Sequence, residues 1–226
     1  MDFNSIKVTG DGSHTLQHPE LNESYHSMNG ALTESKHVFI ESGLDFISPR
    51  VDTVKILEIG FGTGLNALLS LQWSIEHSKR IGYHAMEPYP LSAELVAALN
   101  YCSDFGLESL ADLLMRMHSG AGKLVDLTPL FEIEVIIKKF EAVSYPANYY
   151  NLIYFDAFSP AMQPELWEPA VFEKLFYVLE PEGVLVTYSA KGAVRRAMQS
   201  AGFVTERLPG PPGKREMLRA LKYIQK

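Results

Sequence analysis

The sequence predicts an α/β protein built on a doubly wound, mostly parallel sheet. Three observations carry that expectation. Short apolar runs recur along the chain and alternate with stretches of helical spacing, the order that winds a parallel sheet and covers both its faces. Most runs are continuously apolar instead of alternating, as in strands buried from both sides. The first clear one, Val54-Lys55-Ile56-Leu57-Glu58-Ile59, passes straight into Gly60-Phe61-Gly62-Thr63-Gly64 and then into a helix.

Each element has a local reason. Ile6 to Thr9 followed by Gly10-Asp11-Gly12 reads as a strand entering a tight turn, hence a hairpin. Thr33 caps a helix with Glu34 in its first turn, facing the dipole, and Val38, Phe39 and Ile40 on its apolar side. After the 54–59 strand, helical spacing covers residues 65–76, then a strand 81–86 ends at Glu87. Helices follow at 91–99 and 107–117, strands at 133–140 and 152–155, and a helix at 165–179. A strand 184–188, a helix 192–201, and strands 203–208 and 216–223 around the turn Pro209-Gly210-Pro211-Pro212-Gly213 complete the chain. The last two form an antiparallel hairpin. Residues 1–50 therefore read as an N-terminal extension, a hairpin plus a helix packed on the core, and residues 51–226 as the wound, Rossmann-like domain.

Composition bounds the function. At 226 residues the chain is one generous domain, and 46% apolar with 21% charged residues excludes wholesale disorder. The start lacks a basic-then-apolar leader and no apolar run has membrane length, so a cytoplasmic protein without membrane contact is expected. The single Cys102 excludes an internal disulfide and a multi-cysteine zinc site, and no Cys/His cluster exists, so no metal is expected. Net charge is −7, which by itself speaks against nucleic acid. The charge is unevenly spread, however. From Lys191 onward, Lys191, Arg195, Arg196, Arg207, Lys214, Arg215, Arg219, Lys222 and Lys226 face only Glu206 and Glu216, a local +7 that leaves −14 for the rest. Such a split marks either an anionic partner or solvated basic faces.

Three motifs carry chemistry. The glycine loop at a strand-to-helix turn lets a ligand approach the backbone and offers the free N–H groups of a helix N-terminus. Leu65 stands where the dinucleotide pattern would place its last glycine, which tilts the reading from a pyrophosphate cofactor toward S-adenosylmethionine. Glu87, at the end of the next strand, suits the two ribose hydroxyls. Asp156-Ala157-Phe158-Ser159-Pro160 puts a carboxylate and a stiffened loop on the same edge, while Pro164 and Glu165 fit a helix start. No Gly-x-Ser-x-Gly elbow is present.

With these residues assembled, the chain resembles the MnmC-type tRNA methyltransferases and their stand-alone relatives. The resemblance runs from about Tyr25 to Ala220. It rests on Gly30-Ala31-Leu32-Thr33-Glu34-Ser35, the segment from Glu58 to Asn66, Glu87-Pro88-Tyr89-Pro90-Leu91, the segment from Asp156 to Trp167, Tyr188-Ser189, and Lys214-Arg215-Glu216-Met217-Leu218. It implies S-adenosylmethionine as cofactor and, as substrate, 5-aminomethyl-(2-thio)uridine at the tRNA wobble position, converted to the 5-methylaminomethyl form. It further implies a cofactor site of Glu58, Gly60, Phe61, Gly62, Thr63, Gly64, Asn66, Glu87, Asp156 and Phe158. Asp156 is the implied catalytic residue, and Glu34, Pro160, Lys214 and Arg215 the substrate contacts. The basic C-terminal segment would grip the anticodon stem-loop, and an FAD-dependent oxidase or other amine-generating enzyme would act on another chain. One departure stands out: relatives end the third strand in Gly-Asp near the adenine, whereas here the run is Lys138-Lys139-Phe140-Glu141. The alternatives are a spermidine-synthase-like aminopropyltransferase, a non-catalytic tRNA-binding relative, and a small-molecule methyltransferase.

Overall fold

The computed structural model describes residues 5–223. Met1 to Asn4, where the leader reading falls, and Lys226 of the basic segment lie outside the described residues. The chain opens with the hairpin β1 (Ser5–Val8) and β2 (His14–Gln17). It continues through helix α1 (Ala31–Ser35), a π-helical stretch Lys36–Leu44, and α2 (Asp45–Ile47). The wound part then runs β3 (Thr53–Ile59), α3 (Leu65–His77), β4 (Arg80–Met86), α4 (Ala93–Ala97), α5 (Ala111–Ser119), β5 (Leu124–Thr128) and β6 (Phe131–Ile136). It returns as β7 (Tyr150–Phe155), α6 (Pro169–Val178), β8 (Leu179–Thr187), α7 (Gly192–Ser200), β9 (Val204–Pro209) and β10 (Glu216–Leu221).

One eight-stranded sheet has the order β5-β6-β4-β3-β7-β8-β10-β9. Strands β6, β4, β3, β7 and β8 are parallel, and β5, β10 and β9 add antiparallel edges. Both faces are covered, and the two-residue period of β3 shows how. Val54 and Ile56 pack with Phe39, Leu68 and Tyr154 on one side, while Leu57 and Ile59 pack with Phe172 and Leu175 of α6 on the other. Among the described residues no helix is long and apolar enough to cross a membrane.

The wound sheet and terminal hairpin agree with the sequence reading; several boundaries do not. Thr33 is not the cap of its helix. The helix starts two residues earlier, and the turn of the first hairpin caps it from outside. The N–H groups of Ala31, Leu32 and Thr33 donate to Thr9 Oγ1 (3.2 Å), Ser13 Oγ (3.1 Å) and Asp11 Oδ2 (2.8 Å). Three otherwise unpaired donors of the first turn are thereby satisfied. Burial opposes the charge on Asp11, but hydrogen bonds from Ser13 and Thr33 outweigh it and hold the carboxyl well below the usual range.

The third strand ends at Ile136, so Lys138 and Lys139 fall in a loop and Phe140–Ala142 in a 3-10 turn. Strand β5 pairs antiparallel with it at the sheet edge, where its mixed polarity hides it from a search for apolar runs. The helix expected over 165–179 is interrupted: Pro164–Trp167 is a 3-10 turn, Glu168 is extended (φ −78°, ψ 154°), and α6 begins at Pro169. A proline disfavours helical backbone at the residue before it, which accounts for the break.

Candidate active site

The chain order reverses between β3 and β7, and the carboxyl ends of β3, β4 and β7 open there onto a cavity of about 1080 Å³. In open wound sheets this crevice is where ligands sit, and the volume is at the upper end for small-molecule sites. It accommodates a nucleoside and a second ligand group together.

The three strand ends are stitched to one another. Gly60 and Phe61 donate their N–H groups to the Met86 carbonyl (3.1 and 3.2 Å), and Asp156 donates its N–H to the Ile59 carbonyl (2.9 Å). Gly60 has φ +94°, and a Cβ there would lie 2.5 Å from the Asp156 carbonyl oxygen. The close approach of the β7 loop is therefore what demands glycine at this position. The N–H of Gly62 donates to Glu87 Oε2 (2.9 Å), and that of Tyr89 to Glu87 Oε1 (2.9 Å). Burial pushes the Glu87 carboxyl up, and those two bonds oppose it. Each oxygen keeps a second lone pair, so the same carboxylate can accept two ribose hydroxyls without releasing the glycine loop.

Asn66, in the first turn of α3, joins two carboxyls. Its Nδ2 donates to Glu58 Oε1 (2.9 Å) and to Asp156 Oδ2 (2.8 Å). Glu58 is wholly buried, and burial, ahead of the nearby Asp156 charge, raises its pKa well above the ordinary range. It does not line the cavity and is bonded to it through Asn66. Asp156 does line it. Burial first and the Glu34 charge second push its pKa up to about 7, against the bond from Asn66 and the charge of Lys214.

The loop after Asp156 is pinned at Ala157, Phe158 and Ser159. Tyr188 Oη donates to the Ala157 carbonyl (2.9 Å), Trp167 Nε1 donates to the Phe158 carbonyl (2.8 Å), and the Phe158 N–H donates to Gln163 Oε1 (3.2 Å). The Ser159 N–H donates to Glu23 Oε2 (3.2 Å), a carboxylate of the N-terminal extension. That extension also supplies His18 and Tyr25, whose rings meet the Phe158 ring edge-on at 5.4 and 5.1 Å. It closes one side of the cleft. Beneath the glycine loop, His118 Nε2 contacts the Thr63 carbonyl (3.1 Å) and Tyr101 Oη donates to Thr63 Oγ1 (3.2 Å).

The structure thus brings Gly60, Phe61, Gly62, Thr63, Asn66, Glu87, Asp156, Phe158, Glu34 and Lys214 to one cavity. Gly64, the N-cap of α3, stands behind the wall with Glu58, while Pro160 and Arg215 lie off it, Arg215 exposed. His18, Glu23, Tyr25 and His26 escape a motif search because they precede the sheet. Tyr188 is legible only as part of the resemblance.

The family described as S-adenosyl-L-methionine-dependent methyltransferase matches residues 113–223. The tRNA 5-methylaminomethyl-2-thiouridine biosynthesis bifunctional protein MnmC of Cupriavidus necator is 32% identical over 214 residues, which are 88% of this chain and 32% of that protein. Its counterpart in Ralstonia nicotianae is 31% identical over 208 residues, 85% of this chain and 31% of the relative. The crystal structure of MNMC2 from Aquifex aeolicus superposes with a TM-score of 0.81 at 24% identity, covering all of this chain and 74% of that one. The chain is a relative of the MnmC methyltransferases. It spans about a third of the length of the curated MnmC relatives it matches. A spermidine synthase from Thermotoga maritima shares the fold at a TM-score of 0.51 and 14% identity.

As in that class, the cofactor of this MnmC relative is S-adenosyl-L-methionine. The residues present fit it. Glu87 has lone pairs to spare at the ribose position, and the glycine loop is backed so closely by Asp156 that its open side faces the cavity. Lys138, Lys139 and Glu141 line the cavity where the family pattern would bring an aspartate to the adenine.

Proposed function

We propose that this chain methylates the primary amine of 5-aminomethyl-(2-thio)uridine at the wobble position of tRNA, giving 5-methylaminomethyl-(2-thio)uridine. The observation that carries this is the position of Asp156, whose carboxyl lines the same cavity as the glycine loop and Glu34 and is held by Asn66 Nδ2 (2.8 Å). The MnmC relatives, named for 5-methylaminomethyl-2-thiouridine biosynthesis in tRNA, suggest the product class.

When bound, S-adenosyl-L-methionine supplies an activated methyl on a sulfonium. The protein must then present a neutral amine in line with it, and alignment with exclusion of water lowers the barrier by several kcal/mol. In this reading Glu87 holds the ribose, the 60–64 loop holds the amino-acid end, and Phe158 with Tyr25 walls the substrate. A carboxylate stabilises an ammonium, which does not attack, so a fully acidic aspartate would hinder as well as help. Asp156 near 7 accepts a proton from the amine without a strong electrostatic hold on the protonated form. Asn66 sets its orientation.

The tRNA contact is proposed for the rim beside the site. Several basic residues of the C-terminal segment are already paired within the protein: Arg207 with Glu216 (3.0 Å), Arg219 with Glu206 (2.8 Å), and Lys222 with the Phe176 and Leu179 carbonyls (2.7 and 2.8 Å). Lys191, Arg196 and Arg215 are exposed. Strand β10 runs antiparallel to β8 with Leu218 opposite Thr187, so Arg215 and Lys191 share the carboxyl rim of the sheet. The amine is to be supplied by an oxidase or other amine-generating activity.

Methyl transfer from labelled cofactor to tRNA isolated from cells lacking this protein tests the reading. Label is expected on that tRNA and none after its amines are acetylated. Equal labelling of acetylated tRNA would refute amine methylation.

A further inference from the structure

The cleft contains an ammonium of its own. Lys214, in the turn between β9 and β10, places Nζ 2.5 Å from Glu34 Oε1 and 4.1 Å from the centroid of the Tyr188 ring. Both partners are fixed before the lysine arrives. Glu34 is buried, and its Oε2 accepts the Ser27 N–H at 2.8 Å. The Tyr188 ring is held by the bond from its hydroxyl to the Ala157 carbonyl and by the edge of Trp167. Asp156 and Lys214 both line this cavity. A buried carboxylate and an aromatic face around one point are what binds an alkylammonium, through charge-assisted hydrogen bonds and cation–π attraction. A lysine meant for phosphate has no use for such surroundings, because a buried carboxylate neutralises it.

We propose that Glu34 and the face of Tyr188 form a seat for the substrate's aminomethyl ammonium, beside Asp156 on the same cavity, and that Lys214 fills this seat in the free protein until the substrate displaces it. The inference rests on the amine substrate proposed above and adds its recognition site. Lys214 is then an internal competitor. It keeps the Glu34 carboxylate compensated between turnovers and excludes ligands that bring no positive charge to replace its own. Displacement also moves the lysine toward the rim where Arg215 lies.

The test uses the full chain saturated with S-adenosylhomocysteine, and two nucleosides without phosphate: 5-aminomethyluridine and 5-hydroxymethyluridine. A seat occupied nine-tenths of the time by its own lysine weakens apparent binding about tenfold. Calorimetry of Lys214→Met should therefore show about tenfold tighter binding of the amine and unchanged binding of the alcohol. Lys214→Arg, which keeps a cation, should not tighten it. Amine binding by Lys214→Met that is unchanged or weaker overturns the proposal. Should that variant fail to fold, the wild-type protein still answers. The lysine ε-methylene NMR signal shifted by the Tyr188 ring should move to the free-lysine position when 5-aminomethyluridine is added, and a signal that stays in place overturns the seat. Tightening together with an unmethylated tRNA would keep the seat and remove the tRNA assignment. Methylated tRNA with an unmoved lysine would do the reverse.

Discussion

Asp156, the base of the proposed reaction, comes at a cost in stability. Its carboxyl sits near 7 in the folded chain against 3.8 when free, so between those values the unfolded state has lost a proton that the folded state keeps. Stability accordingly falls as pH rises through that window, by roughly 4 kcal/mol at most. Asp156→Asn is expected to raise the Tm at pH 8 and leave it nearly unchanged at pH 4, while lowering kcat about a hundredfold or more. Thermal melts at the two pH values, with single-turnover methyl transfer, check both halves. Gly60 is equally exacting for a steric reason. A methyl group there would meet the Asp156 carbonyl at 2.5 Å on a backbone of positive φ, so Gly60→Ala should cost more than about 2 kcal/mol and abolish cofactor binding measured by calorimetry. The meeting of Gly60, Glu87 and Asp156 at one cavity is legible in the sequence because each stands at the end of an apolar run. The pairing of Lys214 with Glu34 is not, since 180 residues separate their two motifs.

The N-terminal hairpin is the element whose function is least visible in its residues. Its turn caps α1, and α1 carries Glu34, so the hairpin sets the position of a cleft carboxylate through Thr9, Asp11 and Ser13. Asp11→Ala removes the acceptor for Thr33 and Ser13, and is expected to cost about 3 kcal/mol, a Tm lower by roughly 6–12 °C. Because the Asp11 carboxyl is held low in the folded state, its stabilising share is present above its free pKa of 3.8 and is lost as pH falls through the folded value. The gap in Tm between wild type and variant should consequently narrow on acidification below pH 4. Sequence spacing shows the hairpin but not its partner, because the capping bonds span some twenty residues and the extension folds back over a sheet that comes after it. Strand β5 escaped for another reason: an edge strand faces solvent and needs no apolar run. The break before Pro169 was readable and was overridden by the helical spacing around it.

At the scale of the whole molecule, the wound sheet and the asymmetry of charge converge on one rim. Lys191 and Arg215 are exposed where β8 ends and β10 begins, and Arg196 is exposed on α7. Replacing Arg196 and Arg215 with alanine should weaken tRNA binding uniformly across sequences and reduce the slope of log affinity against log salt by about two. A filter-binding salt titration measures this, and an unchanged slope would move the tRNA contact elsewhere. The most direct test of the central claim is nucleoside mass spectrometry of tRNA bearing 5-aminomethyl-uridine after incubation with the purified chain and S-adenosyl-L-methionine. The expected result is conversion of that nucleoside alone to its methylamino form, gaining one methyl. Unchanged aminomethyl nucleoside, from protein shown to bind the cofactor, would contradict it.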